Sequence, residues 1–128
     1  MGNMDAVDKF FEAVGAFKLA DESARAGNLK NIDARTFRSI IIDFDAAIPG
    51  LEDENLGRAL LLKATCFYWL YLSELAHKKS VLFDVDAPPN PLRAEGLSYA
   101  LKGRDILQKL GRTKELPWAN DIVSKLGD

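Results

Sequence analysis

The amino-acid sequence predicts an all-α protein, on three observations. Apolar residues recur at the 3.6-residue period of an amphipathic helix along most of the chain. Residue types that cap helices precede these stretches, and glycine or proline follows them. No run that fits a strand is longer than Val81–Phe83. We therefore expect five helices in a single domain spanning residues 1–128, since this length is that of one ordinary domain.

The first helix is predicted to begin at a cap, either Asn3 or Asp5, and to end at Gly27-Asn28. We expect Gly27-Asn28 to supply the left-handed conformation that ends many helices. Acidic residues near the start suit the positive end of the helix dipole. The apolar stripe predicted to face the core consists of Val7, Phe10, Phe11, Val14, Phe17, Ala20 and Ala24.

The second helix has the most regular apolar stripe of the chain. Asp33 is its predicted cap, and Pro49-Gly50 ends it. Its apolar positions are Phe37, Ile40, Ile41, Phe44, Ala47 and Ile48. A continuous stripe of this kind indicates a helix that buries one face and leaves the other to solvent.

The third helix is predicted to run from a cap at Asp53 to about Lys78. Its middle, from Leu60 to Leu72, is apolar around most of the circumference, which indicates a helix surrounded by neighbours. The stretch Lys79–Asn90 that follows is predicted to be irregular. We expect Val81–Phe83 within it to fold back onto the core, because exposing three apolar residues is unfavourable.

Asn90-Pro91 predicts the start of a fourth helix, because a capping residue precedes a proline in the first helical position. This helix is expected to end at Gly111. Gly96 and Gly103 lie on its apolar side, where each costs about 0.8–1 kcal/mol relative to alanine, so we expect a neighbouring backbone to approach closely there. A short fifth helix is predicted over Pro117–Leu126.

The charge and the rare residue types exclude several classes of function. Seventeen basic and nineteen acidic residues give a net charge of −2, which disfavours a binder of nucleic acid or of membrane surfaces. Residues 1–57 carry a net charge of −5 and residues 58–128 one of +3, a difference that favours head-to-tail self-association. A single cysteine and a single histidine exclude a disulfide framework, a thiolate zinc site and paired-histidine metal motifs. We predict no metal and no cofactor.

The sequence also disfavours a membrane or secreted location. Asp5 and Asp8 precede any apolar stretch, unlike the basic start of a signal peptide. The most hydrophobic run, Ala59–Ala76, contains Lys63 and Glu74, each of which costs about 2.5–3.5 kcal/mol within a bilayer. We expect a soluble, cytoplasmic protein.

Several segments resemble the helices of tetratricopeptide repeats. The segment Phe37–Pro49 is similar to the second helix of such a repeat, in which an aromatic residue and a small alanine precede a closing proline. The helix that follows, with Gly57, Ala64 and Tyr68, is similar to a first helix. The stretch Ala94–Leu101 again resembles a second helix, and the last predicted helix resembles the capping helix. The resemblance implies a right-handed stack of two antiparallel hairpins and a short capping helix; the alternative is a compact bundle of four or five helices.

The same resemblance implies a function, because proteins of this type usually bind a peptide or another protein in a groove. It implies a non-catalytic adaptor whose partner is a protein or a peptide. The groove would lie on the face shared by the first and third helices. The candidate contacts are Lys18, Arg25, Lys63, Tyr68 and Tyr71.

Two other functions stay open. Glu74, His77 and Tyr71 would surround the pocket of a small-molecule-binding or enzymatic bundle if they converge on a cavity. A structural homodimer would show a large exposed apolar patch. No residue is predicted to be catalytic, and Cys66 is expected to be inert because an apolar setting raises the pKa of a thiol.

Overall fold

A computed structural model describes residues 5–27, 31–77 and 90–127. Within these ranges the chain forms α-helices and no strand, which confirms the predicted all-α class. The predicted fold-back of Val81–Phe83 lies outside the described residues. The helices are α1 (Ala6–Ala26), α2 (Ala34–Ala47), α3 (Asp53–His77), α4 (Pro91–Lys109) and α5 (Leu116–Gly127), and a 3₁₀ turn (Ile48–Gly50) follows α2.

Local capping signals explain where three of the helices begin. The side chain of Asp5 accepts a hydrogen bond from a backbone N–H in the first turn of α1 (2.8 Å), and Asn90 does the same for α4 (2.9 Å). Asp33 accepts hydrogen bonds from the N–H (3.2 Å) and the hydroxyl (2.8 Å) of Thr36. These bonds from Thr36 lower the pKa of the Asp33 carboxyl, since they favour its ionised form. The predicted caps Asp5, Asp33 and Asn90 are confirmed.

The predicted end of α1 at Gly27 is confirmed, but the conformation predicted for Gly27 and the predicted cap of α3 are wrong. Gly27 donates its N–H to the Ser23 carbonyl (3.1 Å) and is extended (φ −101°, ψ −172°) instead of left-handed, and Asn28 lies outside the described residues. Asp53 does not cap α3 but is its first residue, with φ 50°. The N–H of Leu56 donates to the carbonyl of Glu52 (3.3 Å), so helical hydrogen bonding already begins one residue before Asp53.

The C-terminus of α4 ends as predicted at Gly111, which has φ 73°. The Gly111 N–H donates to the carbonyl of Gln108 (3.1 Å), and the Arg112 N–H donates to that of Leu107 (3.0 Å). This pair of bonds is the Schellman motif, which requires a left-handed residue and therefore favours glycine. The motif turns the chain back towards α3 and so places α5.

The helices pack in chain order around α3. Each helix contacts the next, and both α1 and α5 also contact α3. Two hydrophobic clusters result, and α3 contributes to both. The first joins α1, α2 and α3 and includes Phe10, Phe17, Phe37, Ile40, Phe44, Cys66, Trp69 and Leu70. The second joins α3, α4 and α5 and consists of Leu61, Ala64, Ala100, Leu107, Ala119, Ile122 and Leu126.

The most extensive contact joins α3 and α4, and glycines make it close. A Cβ atom on residue 103 would lie 2.7 Å from the carbonyl oxygen of Gly57 and 2.9 Å from Cγ of Leu61. A Cβ on residue 96 would lie 2.8 Å from Cβ of Phe67. The predicted close approach of a neighbouring backbone is confirmed at Gly103, whereas at Gly96 the close atoms belong to the side chains of Phe67 and Leu126.

The apolar stripe predicted for α1 is wider than the face that α1 buries. Phe10 and Phe17 are buried, but Phe11 is 58% exposed and Val7 is 39% exposed. Leu19, outside the predicted stripe, is 72% exposed. The reason is that, among the described residues, α1 packs mainly against α2, α3 and the 3₁₀ turn, and these neighbours cover one side of it.

Candidate functional site

The candidate site is the surface formed by α1, α3 and α5, where a line of contacts crosses the three helices. We call it the α1–α3–α5 band. It consists of Arg25, Asp21, Trp69, Tyr68 and Lys125. Because α1 and α5 both contact α3, this band joins one edge of the molecule to the other through the central helix.

The α1 half of the band is organised by the carboxylate of Asp21. Its Oδ1 accepts a hydrogen bond from the indole N–H of Trp69 (2.8 Å), and its Oδ2 accepts one from Nε–H of Arg25 (2.8 Å). The ring of Trp69 is buried and stacks on Phe37 with centroids 6.3 Å apart. A buried indole needs a hydrogen-bond acceptor, so Asp21 fixes Trp69 and at the same time holds an exposed guanidinium.

The α5 half of the band is a cation above an aromatic ring. The rings of Tyr68 and Trp69 lie 5.8 Å apart, and Nζ of Lys125 lies 5.7 Å from the centroid of Tyr68. Lys125 also pairs with Asp121 on its own helix (3.0 Å). An ammonium within about 6 Å of a ring is attracted by the negative face of the π system.

An apolar line runs along α3 from the band towards the C-terminus of the helix. Tyr68, Leu72 and Leu75 are spaced i, i+4 and i+7, which places them on one face. Tyr68 and Leu72 are half-buried, and Leu75 is 45% exposed. Tyr68 packs against the second cluster and Leu72 against the first, so the line follows the boundary between the two.

Of the residues predicted for partner binding, the structure brings Arg25 and Tyr68 into the band. Lys18 is exposed on α1, and no hydrogen bond or ion pair of its side chain is found among the described residues. Lys63 and Tyr71 lie elsewhere. Two of the five predicted contacts therefore lie on one surface. The sequence did not indicate that Asp21 and Trp69 join them, because these two residues are 48 positions apart and local patterns do not relate them.

Lys63 is buried between α2 and α4, away from the face that α1 shares with α3. Its Nζ lies 2.5 Å from Oδ1 of Asp45 and 3.7 Å from the ring centroid of Tyr99. Burial opposes its charge, but the hydrogen bonds to Asp45 and Tyr99 outweigh burial and raise the pKa of Lys63. Residues 63 and 68 are five apart, about 140° around a helix, so Lys63 and Tyr68 point to different neighbours. Lys63 therefore presents no free cation to a partner.

Tyr71 faces α4, where the guanidinium of Arg93 lies 6.0 Å from its ring centroid. His77 is the last residue of α3, and its Nδ1 lies 2.7 Å from the carbonyl oxygen of Ser73. Glu74 is half-buried on the same helix. Two open cavities, each of 530 Å³, lie at the opposite end of α3 and contain none of these three residues.

That opposite end holds a cluster of ion pairs that local sequence patterns did not predict. Arg58 donates two hydrogen bonds of 2.7 Å to the carboxylate of Glu115, and Arg112 pairs with Glu54. The bonds from Arg58 lower the pKa of Glu115, and Glu115 raises that of Arg58. Arg58 and Glu115 are 57 positions apart, so only the fold reveals the pair. It ties the start of α5 to α3.

The cysteine and the possible metal ligands form no further site among the described residues. The thiol of Cys66 is fully buried, and burial raises its pKa far above that of an exposed thiol. Across residues 5–27, 31–77 and 90–127, no three His, Cys, Asp or Glu side chains are grouped closely enough to hold a metal ion. Over the same ranges, none of the helices combines the length and apolarity that crossing a bilayer requires.

Comparisons with family models, with curated proteins and with solved structures find no match to this chain. The likeness to tetratricopeptide repeats therefore rests on the sequence segments quoted above.

Proposed function

We propose that this protein is a non-catalytic, cytoplasmic adaptor that binds an acidic and partly apolar segment of a partner protein on the α1–α3–α5 surface. The observation that carries the proposal is the apolar line Tyr68, Leu72 and Leu75, with Arg25 on the α1 side of the band and Lys125 on the α5 side. The proposal assigns no reaction to the protein.

The packing order supports a stack of helical hairpins. Each helix contacts the next one, and α1, α3 and α5 contact each other in sequence. In a stack of this kind the first helices of successive hairpins lie side by side, and here these are α1, α3 and α5. The band crosses these three helices and so includes the face shared by α1 and α3, where the resemblance implies a peptide groove.

The apolar line supplies contact area for a partner. Leu75 is 45% exposed, and Tyr68 and Leu72 are partly open to solvent. Removing such side chains from water contributes about 25 cal/mol per Å² of apolar surface. Tyrosine is among the residue types that most often dominate binding energy at interfaces.

The cations on either side of the line explain why the proposed segment is acidic. The side chain of Arg25 is 60% exposed, and Asp21 occupies its Nε–H only. The terminal NH₂ groups of a guanidinium can bind a carboxylate in bidentate fashion. Lys125 stands above Tyr68 on the opposite side. Charges placed this way select partners of opposite sign and speed their association.

Selection from a displayed random-peptide library on the immobilised protein tests this proposal. We expect the enriched peptides to combine apolar and acidic residues. In fluorescence anisotropy, Leu75→Asp and Lys125→Glu should each weaken their binding at least tenfold, about 1.4 kcal/mol or more. Leu101→Asp is the matched control, because Leu101 is 40% exposed and lies on α4, outside the α1–α3–α5 surface. The proposal fails if no peptide is enriched or if Leu75→Asp and Leu101→Asp bind equally.

A further inference from the structure

The outer face of α1 carries an exposed apolar stripe that no described part of the chain covers. Val7, Phe11 and Leu19 are 39%, 58% and 72% exposed. With Gly15 between them they follow a four-residue spacing, so they form one line that winds slowly around the helix. Exposed apolar lines of this kind mark surfaces that other chains cover.

Gly15 stands at the centre of this stripe, and nothing inside the chain explains it. A Cβ atom at this position would meet no atom within 4 Å apart from its chain neighbours and the backbone of its own helix. Glycine in a helix interior is less favourable than alanine, because its backbone loses more conformational freedom. Gly57 and Gly103, by contrast, allow α3 and α4 to approach closely. A second helix crossing α1 at Gly15 would use the missing side chain in the same way.

We propose that α1 pairs antiparallel with α1 of a second copy of this chain, with the two-fold axis at Gly15. In this register, residues at equal distances on either side of Gly15 face each other. Phe11 and Leu19 are both four positions from Gly15, so each Phe11 packs against Leu19 of the second copy. The two exposed apolar residues next to the centre thus bury each other twice.

The charges around Gly15 agree with this register. The charged residues nearest to the centre are Glu12 and Lys18, three positions away on opposite sides and both exposed. They form two symmetric Glu12–Lys18 pairs between the copies. Asp8 and Glu22, seven positions from the centre, meet as like charges, but inclined helices have already separated there. The inner charges therefore favour a second copy of α1 as the occupant.

This arrangement is independent of the proposed peptide surface. It is symmetric and so differs from the head-to-tail association that the charge imbalance between the two parts of the chain predicts. Leu75 takes no part in it, so Leu75→Asp separates the two proposals: it should weaken peptide binding at least tenfold and leave the dimer intact.

Light scattering coupled to size-exclusion chromatography is the first test. We expect the mass to rise with concentration from 14.2 kDa to about twice that value. Phe11→Asp and Leu19→Asp should keep the protein monomeric. Ile42→Asp, at a 67% exposed position on α2, is the matched control and should dimerise like wild type. A wild-type protein that stays monomeric at millimolar concentration would overturn the proposal.

Exchange of the inner charges tests the register itself. Lys18→Glu should raise the dimer dissociation constant at least tenfold, and addition of Glu12→Lys should restore it, because the pairs are then re-formed with reversed sign. Loss of dimer without rescue in the double variant contradicts this register.

Cross-linking tests the position of the axis. Gly15→Cys places two thiols at the crossing point, and mild oxidation should give a covalent dimer. Ser39→Cys, at an exposed position on α2, should remain largely monomeric under the same conditions. Equal cross-linking of the two variants would show random collision and exclude the symmetric pair.

Discussion

At the scale of single residues, Lys63 shows how a charge is accommodated inside this fold. Its side chain is only 8% exposed, and Asp45 on α2 and Tyr99 on α4 contact its ammonium group. Taking a lysine out of water is costly unless an anion and hydrogen bonds replace the solvent. Lys63 on α3 therefore connects α2 to α4. Replacing Lys63 and replacing Asp45 should change the free energy of unfolding by different amounts.

We predict that Asp45→Asn lowers the free energy of unfolding by about 1–3 kcal/mol, because it leaves a buried ammonium without a carboxylate that is itself half-exposed. Lys63→Met should change it by less than about 1 kcal/mol, since the apolar stem is replaced and no charge stays buried. Urea denaturation at pH 7 measures both. A larger loss for Lys63→Met than for Asp45→Asn would contradict the prediction.

The pKa of Lys63 predicts the alkaline behaviour. The folded-state pKa is raised above the ordinary value of 10.5, so the contribution of Lys63 is fully present below pH 10.5 and is lost as the pH rises through the folded value. Wild type should lose more stability than Lys63→Met between pH 9 and pH 12. Parallel curves for the two proteins would exclude this contribution.

At the scale of helices, the contact between α3 and α4 depends on the absence of side chains. The carbonyl of Gly57 and the side chain of Leu61 occupy the space where a Cβ of residue 103 would lie. The spacing of Gly96 and Gly103 predicted this contact from the sequence, because glycines on the apolar side of a helix are otherwise unfavourable. The sequence could not predict that α3 is the helix that approaches, since the glycine spacing describes only α4.

We predict opposite effects for two glycine-to-alanine substitutions. Gly103→Ala should destabilise the protein by about 1–3 kcal/mol, because α3 and α4 must move apart. Gly15→Ala should stabilise the monomer by about 0.5–1 kcal/mol, because the site is open and alanine favours the helix. Thermal or urea unfolding at low protein concentration measures both. Destabilisation of the monomer by Gly15→Ala would show a contact within the chain that the structure does not contain.

At the scale of the whole molecule, α3 links the two hydrophobic clusters. Leu61 and Ala64 belong to the cluster with α4 and α5, whereas Cys66, Trp69 and Leu70 belong to the cluster with α1 and α2. A substitution in either cluster therefore alters the packing of α3. One tryptophan lies by each cluster, Trp69 in the first and Trp118 against the second.

We predict that the chain unfolds as one cooperative unit. The variants Trp69→Phe and Trp118→Phe each keep one tryptophan. For each variant, the unfolding midpoint measured by fluorescence should equal the midpoint measured by circular dichroism on the same variant.

Substitutions in either cluster should shift this single transition. Phe44→Ala should lower the free energy of unfolding by about 3–5 kcal/mol and Leu107→Ala by about 2–5 kcal/mol. Separate transitions for the two tryptophans would mean that the clusters fold as two domains.

The sequence by itself determined the helices and most of their starting points, because periodicity and capping act within a few residues of each other. It also excluded a disulfide framework and several metal motifs, because one cysteine and one histidine cannot supply their ligands. The tertiary structure decided which faces meet. It brought Asp21 to Trp69 and Arg58 to Glu115, turned Lys63 inward and left Phe11 and Leu19 exposed. These outcomes depend on contacts between helices far apart in the chain, and a local pattern does not specify which face of a helix its neighbours will cover.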